Sequence, residues 1–569
     1  MRKRKSQRGL TVQAIAGSHV VLLAMDMPRQ LCPGHMGFAI HRTDHTDDES
    51  YWLRGSKTFM ETDPKLADGS TYSTRDHPIQ GFTWSDFTAK PGHSYTYRVE
   101  ALSGPAQALT AFRTVEVAVT TETEVGGMHD VFFNRGAAAS QEFARRFGAD
   151  ASLARAPDDD PRWAWLSRGA LEAIEAFIAR AQGAGWALRV AAYEFRLPAV
   201  ALALKAAQER GVDVHILYDG CSNPPDSKGH VFPRDDNRAT VDAAQLQLQS
   251  SERLTRPEVK SPPIAHNKFI VLLENGQPLA VLTGSTNLSK GAVFGQSNVV
   301  HVAEHKTVAR DYLACWKLLA ANTDHRLLRT ALTARNPPPA GFPRRGTTCV
   351  FSPQSDVSAL DWYAQLARET EGGLFMTFAF GMPAPFKESY RKGKAPLRYA
   401  LMDQLLPSGI RAAGKAAAQA EMLAIRKRVE NRIAVGNRIA TNVFDRWVKE
   451  TLTGLNTHVQ YIHTKFMLLD PLGPHPVVIT GSANFSEAST LANDENMLVI
   501  RGDRRVADIY LGEYMRLWNH YAFREWVASG SPGAPLAFKH LDVGDTWWTG
   551  YFGNSARSRQ RAYFSGGVR

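Results

Sequence analysis

Two segments of the sequence repeat one set of polar residues at the same spacing. The first begins at His266 and the second at His463, and in each a lysine follows two positions later. A Gly-Ser-x-Asn run begins 18 positions after each histidine, and 11 of 24 positions are identical when 266–289 and 463–486 are aligned without gaps. Such similarity indicates an internal duplication, and we expect the two copies to form one site.

The residues shared by the copies are of types that act on phosphate. A neutral imidazole can attack phosphorus and form a covalent phosphohistidine, which divides one difficult displacement into two easier steps. A second, protonated imidazole can give a proton to the leaving oxygen and later take one from water. Lysine and asparagine can neutralise and hydrogen-bond the phosphate oxygens, whereas packing alone needs neither at matched positions. The candidate catalytic residues are His266, Lys268, Asn287, His463, Lys465 and Asn484, with Ser285 and Ser482 in support.

His-x-Lys with Gly-Ser-x-Asn, present twice, resembles the phospholipase D superfamily over about 130–530. The resemblance implies two pseudo-symmetric α/β halves, with mixed sheets flanked by helices, that share one active site. It also implies phosphodiester hydrolysis or transfer through phosphohistidine on a phospholipid or a nucleic acid. The superfamily pattern continues with an aspartate five residues beyond the lysine, which is Asp470 in the second copy, whereas the first copy has Leu273 there. The alternatives are a metal-independent nuclease and a non-catalytic scaffold with a relic site.

A further asymmetry separates the copies. Residues 308–313 match 506–511 at an offset of 198, whereas the motifs match at 197, so one residue was inserted or lost between them. If this change falls just after the motif, Ser297 pairs with Glu495 and Asn298 pairs with Asn496.

This alignment gives the two histidines different roles. The resemblance makes Glu495 the carboxylate that orients His463, which leaves the neutral Gln296, Ser297 or Asn298 beside His266. A neighbouring carboxylate raises the pKa of an imidazole. The alignment therefore predicts His463 as the general acid and His266 as the nucleophile.

The region 10–122 has the pattern of a small antiparallel β-sandwich, with short alternating runs separated by Gly, Pro and Asp. The predicted strands are 20–25, 37–41, 81–87, 95–101 and 115–119. Within it, 84–101 resembles the E–F corner of a fibronectin type III module, which makes Tyr95 a structural residue whose hydroxyl bonds back to the chain. Gly126-Gly127 indicates a linker, so we expect the sandwich to be separable and to serve attachment or stability.

The rest of the chain alternates strands and helices, which indicates sheets covered by helices. We assign half 1 to 128–335, half 2 to 346–530, and an aromatic and basic tail to 531–569. The predicted helices are 167–181, 198–210, 360–371 and 412–424. The predicted strands are 188–195, 212–218, 269–273, 281–283, 374–380, 467–469 and 477–480.

Two basic or aromatic segments allow two interpretations each. A basic run after helix 412–424 is either a solvated surface or an electropositive wall facing the substrate. Its members are Arg426, Lys427, Arg428, Arg432 and Arg438. The tail either stacks bases or enters a lipid interface, or it docks on the domain beneath, and we expect it to pack on the catalytic domain. Its relevant residues are Trp547, Trp548, Tyr551, Phe552, Arg557, Arg559 and Arg561.

Composition limits the partners and cofactors. A net charge of +11 favours an anionic partner such as nucleic acid, a phospholipid surface or a phosphorylated small molecule, although a soluble protein can simply be basic. The four cysteines are scattered, and the sequence has neither HExxH nor a carboxylate cluster near the motifs, so we expect no metal and no other cofactor. No apolar run is long enough for a membrane span or a secretion signal. We expect a cytoplasmic protein, with non-classical export left open, whose single chain holds the complete active site.

Overall fold

The computed structural model describes most of the chain. The described residues are 1–66, 70–136, 140–148, 153, 156–220, 225–227, 229–247, 252–253, 263–407, 410–436, 461–528 and 540–566. Arg438 of the predicted basic run lies outside them. Within the described residues, no helix is long and apolar enough to cross a bilayer.

The N-terminal region is a sandwich of two antiparallel sheets, each four-stranded in the part of the chain described. The first has the order β1-β2-β3-β8, with β1 Arg2–Gln7, β2 Leu10–Ala16, β3 Val21–Asp26 and β8 Thr83–Asp86. The second has the order β10-β9-β4-β5, with β4 His35–Asp44, β5 Glu49–Trp52, β9 Ser94–Ser103 and β10 Thr110–Thr120. A separate pair joins β6 Arg54–Gly55 to β7 Tyr72–Ser73. The five predicted strands are confirmed, and the basic N-terminal residues form an additional edge strand that precedes the boundary expected at residue 10.

The two predicted halves, which we call the catalytic region, contain two mixed sheets. These sheets have the same topology, as expected for a duplication. The first has the order β11-β17-β16-β15-β12-β13-β14, with β11 His129–Phe133, β12 Trp186–Ala192, β13 Asp213–Asp219, β14 Glu252–Arg253, β15 Lys268–Glu274, β16 Gln277–Gly284 and β17 Val299–Ala303. The second has the order β18-β24-β23-β22-β19-β20-β21, with β18 Gly346–Ser352, β19 Gly373–Phe378, β20 Leu397–Met402, β21 Asn431–Val435, β22 Phe466–Leu469, β23 Val477–Gly481 and β24 Glu495–Arg501. In both, the fifth, sixth and seventh strands of the order run parallel and the other neighbours are antiparallel.

Helices cover both sheets. They are α1 Ser140–Phe147, α2 Pro161–Ser167, α3 Ala170–Ala179, α4 Pro198–Glu209, α5 Arg234–Ala243, α6 Lys306–Ala320, α7 His325–Arg335, α8 Ser358–Glu369, α9 Ala384–Lys392, α10 Ala412–Arg426, α11 Glu487–Leu491, α12 Arg504–Ala528 and α13 Ala556–Phe564. The helix predicted at 167–181 begins at Ala170, because Arg168 and Gly169 have positive φ and separate α2 from α3. The other three predicted helices are confirmed.

The basic run after α10 is largely bound by neighbouring side chains. Arg426 pairs with Glu525 at 2.7 Å, and the guanidinium of Arg432 lies 5.1 Å from the ring centroid of Trp518. Arg428 is exposed and lies 3.4 Å from Glu430. These contacts favour the interpretation of this run as structure and surface over that of a substrate-facing wall.

The sandwich is joined to the catalytic region by a shared apolar core. Ile15, Val20 and Leu22 belong to the same buried cluster as residues of α12 and of both catalytic sheets. A Cβ on Gly17 would lie 3.0 Å from the carbonyl oxygen of Asp508 in α12, so the backbones are in close contact. This packing differs from the separable module that the Gly126-Gly127 linker predicts.

The C-terminal tail spans the sandwich and half 2. Trp547 donates its indole N–H to the carbonyl oxygen of His35 at 2.7 Å and packs 5.6 Å from the ring of Phe82 in the sandwich. Farther along, Tyr563 and Phe564 of α13 pack against Phe375 of β19. The described part of the tail therefore contacts the catalytic region through Tyr563 and Phe564, whereas its tryptophans lie on the sandwich.

Removing residues 1–127 should destabilise the protein. Loss of Ile15, Val20 and Leu22 would expose their apolar partners at a cost of about 5 kcal/mol, which is a large fraction of the stability of a typical domain. We expect thermal unfolding of the truncated chain to lose its single sharp transition. As the control, full-length protein cut at a protease site inserted at Gly126-Gly127 should keep both pieces together on size exclusion. An unchanged melting temperature in the truncated chain would contradict this packing.

Candidate active site

The two His-x-Lys motifs lie where the sheets of the two halves meet. Lys268 begins β15, and Lys465 immediately precedes β22. The backbone N–H of His463 donates to the carbonyl oxygen of Ser297 at 3.2 Å, and that of Asp494 donates to the carbonyl oxygen of Ile264 at 3.0 Å. Each half thus hydrogen-bonds the motif segment of the other, and the two buried histidines lie at this one interface.

The imidazole of His266 is paired with a carboxylate from the second half. Its Nδ1 lies 2.9 and 3.0 Å from the two carboxylate oxygens of Glu495, and the hydroxyl of Ser482 donates to the same carboxylate at 2.6 Å. Burial lowers the pKa of His266 to about 4, although Glu495 opposes this shift. Burial also raises the pKa of Glu495, but the charges of His266 and Lys268 outweigh it and lower that pKa. The carboxylate is therefore ionised at neutral pH beside a neutral imidazole.

The imidazole of His463 is paired with a neutral amide from the first half. Its Nδ1 lies 2.9 Å from Oδ1 of Asn298, which also accepts the Ser285 hydroxyl at 2.8 Å. The backbone N–H of Asn298 donates to the side-chain oxygen of Asn134 at 2.8 Å. Burial lowers the pKa of His463 well below its usual value, and the ammonium groups of Lys465 and Lys268 lower it further. We call this exchange of partners between the halves the crossed pairing.

The crossed pairing shows that two sequence-based expectations are wrong. Glu495 lies beside His266 and not beside His463. The residue beside His463 is Asn298, which is therefore the counterpart of Glu495. The sequence alignment had instead paired Asn298 with Asn496. Ser285 bonds Asn298 and Ser482 bonds Glu495, each 13 residues later, so the offset of 197 persists through these residues. The strand registers carry the same offset to Ala303 and Ile500, so the extra residue lies in the second half, between Ile500 and the 506–511 segment. Gln296 and Ser297 reach the site region through their backbones, which bond Asn134 and His463.

The two lysines are buried, and each is near both imidazoles. The ammonium of Lys268 donates to the carbonyl oxygen of His266, and that of Lys465 donates to the carbonyl oxygen of His463 at 2.6 Å. Burial lowers the pKa of Lys268 to about 7, and burial together with the neighbouring Lys268 lowers the pKa of Lys465 well below its usual value. An anion held between the two would raise both values, so the site is built to favour bound negative charge.

The Gly-Ser-x-Asn runs carry buried side-chain amides. The Oδ1 atoms of Asn287 and Asn484 are buried and have no hydrogen-bond partner among the described residues. A Cβ on Gly284 would lie 2.2 Å from the carbonyl oxygen of Val299, and one on Gly481 would lie equally close to that of Asn496. Glycine is therefore required because the neighbouring strand leaves no room for a side chain.

Two aspartates that the sequence analysis did not single out hold the motif segments. Asp219 accepts the backbone N–H of Ala265 at 2.7 Å, and Asp403 accepts those of Tyr461 and Ile462 at 3.0 and 2.9 Å. Asp219 ends β13 and Asp403 follows β20, the buried strands that pair in parallel with β12 and β19. An aspartate at the end of a buried strand in each half was the available sequence signal.

Asp470 lies at the opposite end of β22 from Lys465 and accepts hydrogen bonds from the backbone. Its carboxylate accepts the N–H groups of Gly372 and Gly373 at 2.6 and 2.8 Å. In the first half Asn275 takes the equivalent turn, with φ of 49° against 46° for Asp470, and its backbone N–H bonds Gly185. This turn lies seven residues after Lys268 but five after Lys465, so the count of five that finds Asp470 reaches Leu273 in the first half.

Replacing Asp470 by alanine should therefore affect stability more than chemistry. Two buried N–H groups would lose their acceptor, at a cost of about 1–3 kcal/mol each. We expect a lower melting temperature with kcat within about threefold of the parent protein, since no active-site atom contacts Asp470. Asp470→Asn, which keeps an acceptor oxygen as Asn275 does, is the matched control and should recover most of the stability. A large loss of kcat in a folded Asp470→Asn protein would place this residue in the reaction.

Comparison with known families agrees with this geometry. Residues 175–316 and 422–518 match a family model described as the cardiolipin synthase, phospholipase D-like domain. The matched segments contain His266, Lys268, Asn287, His463, Lys465 and Asn484. The match supports the phospholipase D superfamily and a phosphodiesterase or phosphotransferase type of enzyme. No curated protein matches the sequence significantly.

Several solved structures are similar over part of the chain. Polyphosphate kinase from Porphyromonas gingivalis has 11% identity and a TM-score of 0.36 over 58% of this chain and 43% of that protein. Phosphatidylserine synthase from Haemophilus influenzae has 10% identity and a TM-score of 0.40 over 63% of this chain and 85% of that protein. Nuc, a phospholipase D family member from Salmonella typhimurium, has 28% identity and a TM-score of 0.19 over 26% of this chain and 83% of that protein.

Proposed function

We propose that this chain, whose matched segments support the phospholipase D superfamily, is a phosphodiesterase that hydrolyses or transfers a phosphodiester through a phosphohistidine. The observation that carries the proposal is the crossed pairing, which holds two buried imidazoles in one site with different partners on Nδ1. Two ammonium groups and two side-chain amides accompany them. This set can attack, protonate and neutralise a phosphodiester without further groups.

The first step forms one bond and breaks another. Glu495 holds the Nδ1–H tautomer of His266, so Nε2 carries the lone pair that attacks phosphorus. The phosphorus–oxygen bond to the leaving group breaks, and His463 donates a proton from Nε2 to that oxygen. Lys268, Lys465 and the two asparagines bind the remaining phosphoryl oxygens as charge redistributes.

The second step releases the product. His463, now neutral, takes a proton from a water molecule or an alcohol, whose oxygen attacks phosphorus as the bond to His266 breaks. Water gives hydrolysis and an alcohol gives transfer. Both histidines return to their starting protonation states, so the cycle balances.

The roles of the two histidines rest on charge. Phosphorylation of His266 makes its ring an imidazolium, and the adjacent Glu495 carboxylate stabilises that charge. The ring of His463 has only an amide beside it and two lysines nearby, so its protonated form is a strong acid once an anionic substrate is bound. We therefore propose His266 as the nucleophile and His463 as the general acid, although the sequence argument assigned the carboxylate to the wrong histidine.

The substrate class is a phospholipid or a nucleic acid. The net charge of +11 suits either anion. A metal-independent nuclease acting on DNA or RNA is the first alternative, and a non-catalytic scaffold with a relic site is the second. Complete His, Lys and Asn sets in both halves argue against the scaffold. One chain supplies every group of the site, which supports a monomeric active site.

The N-terminal sandwich is similar in type to a fibronectin type III module. The hydroxyl of buried Tyr95 accepts the backbone N–H of Lys90 at 2.9 Å, a contact back to the chain of the kind expected at that corner. We assign Tyr95 a structural role, since its side chain lies in the sandwich core and not in the candidate active site.

The test is a substrate panel in EDTA. Purified protein should cleave one of phosphatidylcholine vesicles, single-stranded DNA, double-stranded DNA and RNA without added metal. Quenching without acid, followed by peptide mapping, should find the phosphoryl adduct on the peptide that contains His266. An adduct on His463 would reverse the roles, and no turnover on any phosphodiester would favour the scaffold.

A further inference from the structure

A large cavity lies between the sandwich and the catalytic region. Its volume is about 830 Å³. Strands β3 and β8 of the sandwich form one wall, and α12 forms the opposite wall, with Arg135, Trp165 and Arg168 of half 1 at one end. None of the paired-motif residues lines it, so it is distinct from the active site. Its size falls within the range of pockets that hold small organic ligands.

Arg135, Arg168 and Arg516 lie together at one end of this cavity, and two of them share a single carboxylate. Arg168 and Arg516 lie 2.8 and 2.7 Å from the buried carboxylate of Glu513. Arg135 lines the same end, stacks 4.6 Å from the ring of Trp165 and has no carboxylate within ion-pair distance among the described residues. The three guanidinium groups and one carboxylate leave two positive charges in excess.

Arg524 adds a fourth guanidinium to the lining, and Glu124, which pairs with His19 of the lining, adds a second carboxylate, so the excess stays at two. Burial and the neighbouring charges of Arg168 and Arg516 lower the pKa of Arg135 to about 9. Glu142 is the one acidic residue among the described residues that line the cavity, and its carboxylate pairs with Arg145. Unbalanced buried cations are costly unless an anion pairs with them.

The rest of the lining is largely apolar. Leu22, Leu23 and Ala24 come from the sandwich, and Met515, Phe523 and Phe564 come from the other side. The cavity therefore has a cationic end and an apolar body, which is the complement of an amphipathic anion.

We propose that this cavity binds a phosphate monoester with an apolar chain, with the phosphate between Arg135, Arg168 and Arg516. A phosphate monoester carries about two negative charges at neutral pH, which matches the excess of the arginine cluster. Guanidinium groups bind phosphate oxygens in pairs, and the chain then lies against the apolar walls. This inference concerns a binding site outside the catalytic centre and does not depend on which phosphodiester the enzyme cleaves.

Calorimetric titration with octyl phosphate tests the proposal on the full chain. We expect saturable binding, and we expect inorganic phosphate and octanol to bind at least about 10-fold more weakly, since each supplies one half of the interaction. Octanoate, with one negative charge, should also bind more weakly than octyl phosphate. Equal binding of inorganic phosphate and octyl phosphate would overturn the amphipathic ligand.

Two variants locate the binding. Arg135→Gln should weaken octyl phosphate by about 10-fold or more, because a charged hydrogen-bond donor is lost. Asn519→Trp should weaken it by filling the cavity without changing its charge.

Arg189→Gln, which changes an arginine paired with Asp213 away from the cavity, is the matched control and should bind octyl phosphate normally. Arg516 is avoided because it also donates to the carbonyl oxygen of Asn134, which positions Asn298. Unchanged affinity in both folded cavity variants, or no binding to the parent protein, would overturn the proposal.

Discussion

Replacing either His266 or His463 by alanine should lower turnover by about 10³-fold or more, since each removes a different step of one reaction. The two side chains have different partners, Glu495 and Asn298, so neither ring can take over the role of the other. Steady-state kcat on the substrate found in the EDTA panel is the measurement. The double variant should be little worse than either single variant, because groups that act as a unit are not additive.

The matched control for this prediction is His475→Ala, which removes an exposed histidine from the same half of the protein. It should retain full activity, and all the variants should melt near the parent temperature. Half of the parent activity in each single active-site variant would mean two independent sites and would contradict the shared site.

Replacing Glu495 by glutamine should lower kcat by about 10²-fold or more while preserving the shape of the site, because the phosphorylated imidazolium loses its counter-charge. The pH–rate profile tests which histidine has its pKa raised by Glu495. Glu495 raises the pKa of His266, so the glutamine should lower that pKa. If His266 acts in its neutral form as the nucleophile, the acid limb of kcat/KM moves to lower pH. Movement of the alkaline limb instead would make His266 the general acid.

Asn298→Asp is the reciprocal variant, since it places a carboxylate beside His463. The pKa of His463 should rise, because a neighbouring negative charge favours its protonated form. If His463 is the general acid, the alkaline limb should move to higher pH. Identical effects of the two variants on one limb would contradict the crossed pairing, because the structure gives each residue a different imidazole.

Much of this site could be predicted from residue types and spacing. The two motifs identified both histidines, both lysines and both asparagines, and the structure brings all the histidines and lysines together. The alternating pattern also predicted the strands that carry them, since β15 and β22 are short apolar runs directly after the motifs. Local pattern was sufficient here because each motif folds with its own strand.

The partners of the histidines could not be predicted in the same way. Glu495 reaches His266 across 229 residues and Asn298 reaches His463 across 165, so the contacts depend on how two sheets are docked. The position of one extra residue decided the alignment, and the strand registers and serine hydrogen bonds that fix that position are seen only in the structure. The packing of the sandwich was missed for a related reason, because a glycine pair in the sequence does not report the apolar surface on either side of it.

The crossed pairing has a consequence for how two such halves can diverge. In a symmetric assembly of two identical subunits, each histidine would receive the same partner from its neighbour, so both would be paired with a carboxylate or both with an amide. Fusion of the copies into one chain removes this constraint, because a substitution in one half alters only the histidine of the other. One ancestral position thus becomes Glu495 in one half and Asn298 in the other. The two histidines can then keep different roles, one as nucleophile and one as general acid.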